Sequence, residues 1–409
     1  MKDQLIPDIR FEGYTEDWEQ RKLGELGIVT TGKAFSSTEF DKNGKYLVIT
    51  NKDISDSSRS KNTETDKITP RDKNIIEKFN LSGKNILVTM DGVNLGKTAL
   101  YSNEDALLAQ RVGRIQSSCL DFIFQLTINR TFLIKMQTLS VGNAIKHISL
   151  SQISNYSAMV PKTDEEQIKI GNFFKQLDET ITLQERKLNL LKEQKKGYLQ
   201  KMFPKKNEKF PELRFEGFTG DWEQRKLGEL ARFSKGNGYT KSDLIDSGTP
   251  IILYGSLYTN YQSSISKVKT YVELKEKSVI SKGNEVIVPS SGESSEDISR
   301  ASVVDTAGII LGGDLNIIKV TDLINPLFLA LTISNGTQQK ELSKRAQGKS
   351  VVHLNNSDLK SVNLIFPKTE EQTKIGNFFK QLDETITLQE QQLEKMKEMK
   401  KGFLQKLFI

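Results

Sequence analysis

From Asp164 onward the chain is polar yet periodic: Ile170, Phe174, Leu177, Ile181, Gln184, Leu188, Leu191, Lys195, Tyr198 and Met202 step alternately by four and three residues. That spacing keeps one narrow stripe facing a partner helix, so it predicts a coiled-coil seam. The pattern returns in register at Ile375, Phe379, Leu382, Ile386, Gln389, Leu393, Met396, Lys400, Phe403 and Leu407. Its polar interruptions recur in step, Gln184 with Gln389 and Lys195 with Lys400. Seam glutamines restrict register and partner choice, and seam lysines snorkel. A matched seam within one chain enjoys a high effective concentration, which favours pairing of the two helices over docking of each on a separate protein.

Each helix should cover about 39 residues, roughly 58 Å at ~1.5 Å per residue. The connection from Pro204 to Arg214 reaches at most about 40 Å when extended, which disfavours a parallel pair. Antiparallel helices follow, with a globular domain at either end of a rod. Pro7-Asp8-Ile9-Arg10 also matches Pro211-Glu212-Leu213-Arg214, so the N-terminal segment should lie near the end of the last helix and close a pseudo-twofold arrangement.

The doubling extends beyond the seam. FEGYTEDWEQRKLGEL at Phe11 to Leu26 returns as FEGFTGDWEQRKLGEL at Phe215 to Leu230, and KIGNFFKQLDETITLQE at Lys169 to Glu185 returns unchanged at Lys374 to Glu390. Between these frames lie 27–160 and 231–366, which share a plan but few residues. Both are rich in short β-type runs: Tyr46 to Thr50, Asn85 to Met90 and Val112 to Gln116, then Ile251 to Tyr254, Glu285 to Pro289 and Leu315 to Val320. A helix is expected after each set, near Asp121 to Leu139 and Pro326 to Leu342. The predicted class is α+β: two pseudo-twofold-related globular domains, each with a compact, curved or barrel-like sheet, joined by two long helices in an antiparallel coiled coil. A duplicated scaffold around unlike inserts suits a molecule that does one mechanical job twice while reading two different things.

Composition adds little to this. Over 409 residues, 59 Lys and Arg face 52 Asp and Glu, and the net charge of +7 fits a polyanion partner without demanding one. Met1 to Arg10 has no apolar signal core and no apolar run approaches ~20 residues, so a cytosolic protein is expected. Cys119 is the only cysteine, which excludes an internal disulfide and suits a packing role.

The motifs that look catalytic fail on inspection. Asp91-Gly-Val-Asn-Leu-Gly-Lys97-Thr98 resembles a phosphate-binding loop but has one residue too few between its glycines. A flexible loop offering Lys97 to DNA is the better reading. Asn325-Pro326-Leu327-Phe328 approaches the box with which adenine methyltransferases hold their target, yet Asn as cap and Pro in the first turn explain it without chemistry. His147 and His353, fourteen residues before matching Pro-Lys-Thr runs, show no metal-ligand spacing. Core or hydrogen-bonding roles suit them, with DNA contact as the alternative.

Pro161-Lys-Thr-Asp-Glu-Glu-Gln167 with Ile170 to Ile181, Pro367-Lys-Thr-Glu-Glu-Gln372 with Ile375 to Ile386, and Trp-Glu-x-x-Lys-Leu-Gly-Glu at Trp18 and Trp222 resemble the specificity subunit of type I restriction-modification systems. The resemblance covers nearly the whole chain. It implies target-recognition domain 1 at 1–162, a first long helix at 163–203, linker and target-recognition domain 2 at 204–367, and a second long helix at 368–409. It further implies a non-catalytic subunit that binds double-stranded DNA with a bipartite target, two methyltransferase subunits and two restriction/translocase subunits. S-adenosylmethionine, ATP and Mg would then belong to the partners, which supply adenine-N6 methylation and ATP-dependent cleavage. The one-residue deletion in FPKTEEQTKIG against VPKTDEEQIKIG should shift the second domain slightly on its helix.

Candidates for DNA contact are Thr31, Gly32, Lys33, Asn51, Lys52, Asp53, Lys97 and Lys146 in the first domain. In the second they are Lys235, Asn237, Tyr239, Tyr254, Ser290, Ser291, Gly292 and Lys349. Lys175, Glu179, Lys380 and Glu384, on exposed helix faces, are candidates for binding the methyltransferase. The chief alternative is a two-headed protein-interaction scaffold without DNA specificity; salt-insensitive binding with no DNA preference would mark it.

Overall fold

The computed structural model describes residues 6–54, 66–142, 146–259, 261–346, 348 and 351–409. Two compact units form: Met1–Glu185 with Gln392–Ile409, and Arg186–Gln391. Each therefore combines a globular insert with half of one long helix and half of the other, and each is described by itself.

In the first unit a six-stranded mixed sheet runs in the order Ile28–Thr31, Val112–Gln116, Asn80–Thr89, Thr98–Leu108, Tyr46–Ile49, Lys67–Ile68. The order is open, but beyond the edge strand Ile28–Thr31 the chain turns back, and Lys33 forms an isolated parallel bridge with Ala109 at the end of Thr98–Leu108. The expected single helix over Asp121 to Leu139 is two, Leu120–Ile128 and Arg130–Leu139. Asn129 breaks it, because its side chain accepts from Thr131 N–H and starts the second helix instead of continuing the first. A small ladder, Glu19–Lys22 with Ser157–Val160, joins the repeated frame to the strand that leads into the long helix.

The first long helix, Asp164–Lys201, begins in this unit, and the end of the second, Thr369–Leu407, packs against it. Asp178 pairs with Lys400 at 2.6 Å and Glu185 with Lys397 at 2.7 Å, so numbering rises along one helix as it falls along the other. The pairing is antiparallel. The seam lysines do more than snorkel: Lys400 holds an aspartate at the half-buried seam.

Trp18, Phe122, Phe174 and Phe408 form an aromatic box, with Phe122 stacked on Phe408 at 5.5 Å and Trp18 edge-on to both. Phe122 and Phe174 are fully buried, each contributing about 1.5–3 kcal/mol of transfer free energy. Outside the box, Arg10 grips buried Glu166 with two hydrogen bonds of 2.7 and 2.8 Å.

The second unit repeats the frame. Trp222, Phe328, Phe379 and Phe203 make the same box, and Arg214 grips Glu371 at 2.6 and 2.8 Å. Lys195 pairs with Asp383, and Lys192 with Glu390 at 2.6 Å. The residue missing before the second helix falls inside one shared contact: Gln167 donates to the carbonyl of Pro161, six residues back, at 2.9 Å, and Gln372 to that of Pro367, five residues back, at 2.8 Å.

The insert differs. Its strands form a five-stranded sheet, Ala231–Lys235, Leu315–Val320, Glu285–Pro289, Ser302–Val304, Ser264–Ile265, and a four-stranded one, Tyr271–Val272, Thr249–Ile252, Ala307–Leu311, Ile280–Lys282. Here too the expected helix is split, into Pro326–Ile333 and Gly336–Arg345, with Ser334 and Asn335 between. Asn325 caps the first, accepting from the N–H groups of Leu327 and Phe328 at 3.0 and 3.1 Å. Among the described residues no helix is long and apolar enough to cross a membrane.

Candidate nucleic-acid interface

In the first unit the strand end at Thr31 runs beside the turn that follows Leu108. Lys33 N–H donates to Leu108 at 3.1 Å, and the N–H of Gln110 returns a bond to Lys33 at 2.8 Å. Gly32 is required at this crossing, since a Cβ would lie 2.0 Å from the carbonyl oxygen of Leu108. Thr31 spends its hydroxyl on the carbonyl of Val112 at 2.9 Å, and the Lys33 ammonium lies 5.2 Å from the ring of Phe35.

The same turn delivers Arg111, which adopts a left-handed φ of 64°. Its guanidinium bonds Asp91 at 2.9 Å, and the side-chain amide of Asn51 donates to the other oxygen of that carboxylate. The Asp91 main chain pairs with that of His147 in an isolated antiparallel bridge, and Gly92 N–H donates to the Lys146 carbonyl. Lys33, Asn51, Lys146 and the Asp91 loop are thus gathered at one rim of the sheet. Lys52 is exposed beside them. Asp53 is buried and accepts from the N–H and hydroxyl of Thr50, which fixes the short helical turn Asn51–Asp53.

Lys97 closes the loop: its N–H donates to Asn94 and to the hydroxyl of Thr89. A strand, Thr98–Leu108, follows, where a phosphate-binding loop would need a helix N-terminus. Val93, at the loop tip, is fully exposed.

The second unit has a matching rim. Asn237 N–H donates to Leu311 at 3.2 Å and Gly313 N–H to Gly238 at 2.7 Å; Gly236 allows the crossing, with a Cβ falling 2.0 Å from the Gly312 oxygen. Lys235 is exposed. Tyr239 is buried, and its hydroxyl lies 3.1 Å from the Glu273 carbonyl and 2.5 Å from Ser278, so the ring packs the domain instead of presenting an aromatic face. Beside it, hydrogen bonds from Lys275 and Thr240 hold Asp243 down to about 2.

Ser290 and Ser291 are likewise buried, and Ser291 and Gly292 pair with His353 and Val352. The Tyr258 hydroxyl donates to the Ser291 carbonyl, and burial pushes that phenol well above its usual range. Tyr254, partly exposed, meets Tyr258 edge-on at 6.0 Å. Lys349 lies outside the described residues.

On the long helices Glu179 and Glu384 are exposed and Lys175 is half-buried, while Lys380 is tied to Asp305 at 2.7 Å. Cys119 is buried, and burial raises its thiol. Among the described residues no cluster of His, Cys, Asp and Glu is placed to hold a metal ion.

Sequence reasoning missed Arg111 and its counterpart Asp314, which also has a left-handed φ, of 59°. Ala-Gln-Arg-Val and Gly-Gly-Asp-Leu share no letters, so nothing local links them.

A family model for the type I restriction modification DNA specificity domain matches the chain twice, over 15–193 and 219–398. The MjaVIII type I restriction enzyme specificity subunit of Methanocaldococcus jannaschii is 24% identical over 406 residues, covering 95% of this chain and 91% of its own length. The crystal structure of the type I restriction-modification system S subunit from M. genitalium aligns over 99% of both chains with a TM-score of 0.66 and 15% identity, a likeness of fold. A chain solved in work on complex assembly and conformational transition of the type I R-M system aligns over 96% of this chain and 97% of its own, with a TM-score of 0.50 and 15% identity. With two copies of the matching domain that together span most of its length, the chain belongs to the family of type I restriction modification DNA specificity domains.

Proposed function

We propose that the chain is the sequence-specific DNA-binding subunit of a type I restriction-modification complex. Each globular domain reads one half of a bipartite, asymmetric site; the paired helices set the spacing and dock methyltransferase subunits. The observation that carries this reading is the contrast between frame and insert. The Arg–Glu clamps, aromatic boxes and seam ion pairs recur residue for residue, whereas the rims at Arg111 and Asp314 differ in charge and in side chains such as Lys33 and Asp91, which answer to Asn237 and Ser291.

Phosphate contacts would position the duplex and side chains at these rims would reach base edges, with half-sites about one helical turn, ~34 Å, apart. The boundaries follow as 1–162, 163–203, 204–367 and 368–409. The chain itself does no chemistry. Two methyltransferase subunits with S-adenosylmethionine carry out adenine-N6 methylation, and two restriction subunits with ATP and Mg carry out cleavage, in the cytoplasm.

The test is modular. Residues 27–160 are exchanged for those of another member of the family, in cells that supply the partner subunits, and genome-wide adenine methylation is mapped. One half of the methylated motif should change while the other half and the spacer stay. A change in both halves, or in neither, would defeat the assignment of one reader to each domain.

A further inference from the structure

Arg111 and Asp314 stand at one structural address. Arg111 precedes the strand Val112–Gln116, and its carbonyl accepts from Met90 N–H at 3.0 Å; Asp314 precedes Leu315–Val320, and its carbonyl accepts from Ser290 N–H at 2.8 Å. The next contact also matches, with Ile148 N–H donating to Met90 at 2.8 Å and Leu354 N–H to Ser290 at 3.0 Å. Both residues hold a left-handed backbone, uncommon for a residue other than glycine and most unfavourable for a long side chain such as arginine. Both side chains are exposed, at the rims where Lys33 and Asn237 cross the sheet. One address, held in an unusual conformation in both copies, carries opposite charges.

Arg111 is also aimed. Asp91, mostly buried, takes one edge of its guanidinium, while the side chain as a whole remains 63% exposed. Asn51 holds the other oxygen of the carboxylate, so the support for the fork is itself fixed. An oriented fork with free donors matches the paired acceptors O6 and N7 of guanine in the major groove. A carboxylate offers acceptors only. Guanine and adenine present N7 and would repel it, whereas the major-groove edge of cytosine presents the N4 donor with no ring acceptor beside it.

We infer that Arg111 and Asp314 are equivalent base-reading positions, Arg111 engaging a guanine in one half-site and Asp314 a cytosine in the other. This rests on the proposed DNA-reading function and adds the residues and bases by which the two domains come to differ.

The test selects DNA from a randomised library with the full chain bound to its methyltransferase subunits, comparing wild type with Arg111→Gly and Asp314→Asn. Both replacements tolerate the left-handed backbone, and Arg111→Asn serves as a second variant should the first melt early. Wild type should select a bipartite motif with guanine in one half and cytosine in the other. Arg111→Gly should lose about 5- to 150-fold preference at one guanine and leave the second half-site unchanged. Asp314→Asn should do the same at one cytosine of the other half. Uniformly weaker binding with an unchanged motif and a salt slope smaller by about one would make Arg111 a phosphate contact and overturn the inference. So would a wild-type motif lacking guanine in one half-site or cytosine in the other. A wild-type complex that selects no motif would instead overturn the DNA-reading function, and this inference with it.

Discussion

The main-chain N–H of Ile9 donates to the carbonyl of Lys406 at 3.0 Å. In the other unit Leu213 N–H donates to Lys201 at 2.8 Å, the same bond made by the second copy of the same segment. Each unit is therefore completed from distant stretches of chain, and the N-terminal segment does for one helix end what the linker does for the other. The next residue, Arg10 or Arg214, clamps the start of the other long helix through Glu166 or Glu371.

Removing a clamp should weaken its own unit. Arg10→Ala leaves Glu166, 2% exposed, as an unpaired buried carboxylate, which costs about 3–5 kcal/mol. Trp18 and Trp222 lie in separate units, so chemical denaturation of Trp222→Phe and Trp18→Phe backgrounds reports each one. The transition seen by Trp18 should move and that seen by Trp222 should not; equal movement of both would show that the clamp is not local.

The helix ends should prove to be core residues. Phe203→Ala, at the end of the first long helix, should destabilise the unit containing Trp222 by about 3 kcal/mol, because Phe203 is stacked on buried Phe328. Phe408→Ala should act on the unit containing Trp18, by less, since Phe408 is only half-buried. The reverse assignment in the single-tryptophan melts would refute the pairing.

At the seam, Lys400→Glu sets two carboxylates face to face and should cost about 2 kcal/mol. Exchanging the pair, Asp178→Lys with Lys400→Glu, should restore most of it in a double-mutant cycle. Without recovery, the 2.6 Å pair contributes nothing specific to the register.

Cys119 should resist alkylation. It is buried and its thiol is raised by burial, so little thiolate forms near neutral pH. Thiol titration should find it unreactive in the native protein and fully reactive in denaturant; rapid native labelling would contradict the packing.

Acid should loosen the loop at Asp243 before the rest of its domain. Hydrogen bonds from Lys275 and Thr240 depress its carboxyl from 3.8 to about 2, so their stabilising contribution is full above the ordinary carboxylate value and fades as pH falls towards 2. The protection factor of the Lys275 amide, its exchange rate relative to the intrinsic rate at each pH, should fall over that window, and Asp243→Asn should remove the pH dependence. A constant protection factor from pH 5 to pH 2 would show that the carboxylate does not hold the loop.

Much of the architecture was legible in the chain alone. The alternating four- and three-residue step marked the seam, the linker length disfavoured parallel helices, and the repeated Pro7 to Arg10 segment pointed the N-terminal stretch to the end of the last helix, where Ile9 bonds Lys406. These follow from helix periodicity and from how far a chain can reach, both of which are written along the sequence. The tertiary structure decided the rest. It broke each insert helix at an asparagine, gathered Trp18, Phe122 and Phe408 from remote segments, buried Tyr239, and paired the seam lysines with aspartates. It also put Arg111 and Asp314 at one address. A rim is made where strands that are far apart in the chain end side by side, so its residues have neighbours in space that no local pattern records.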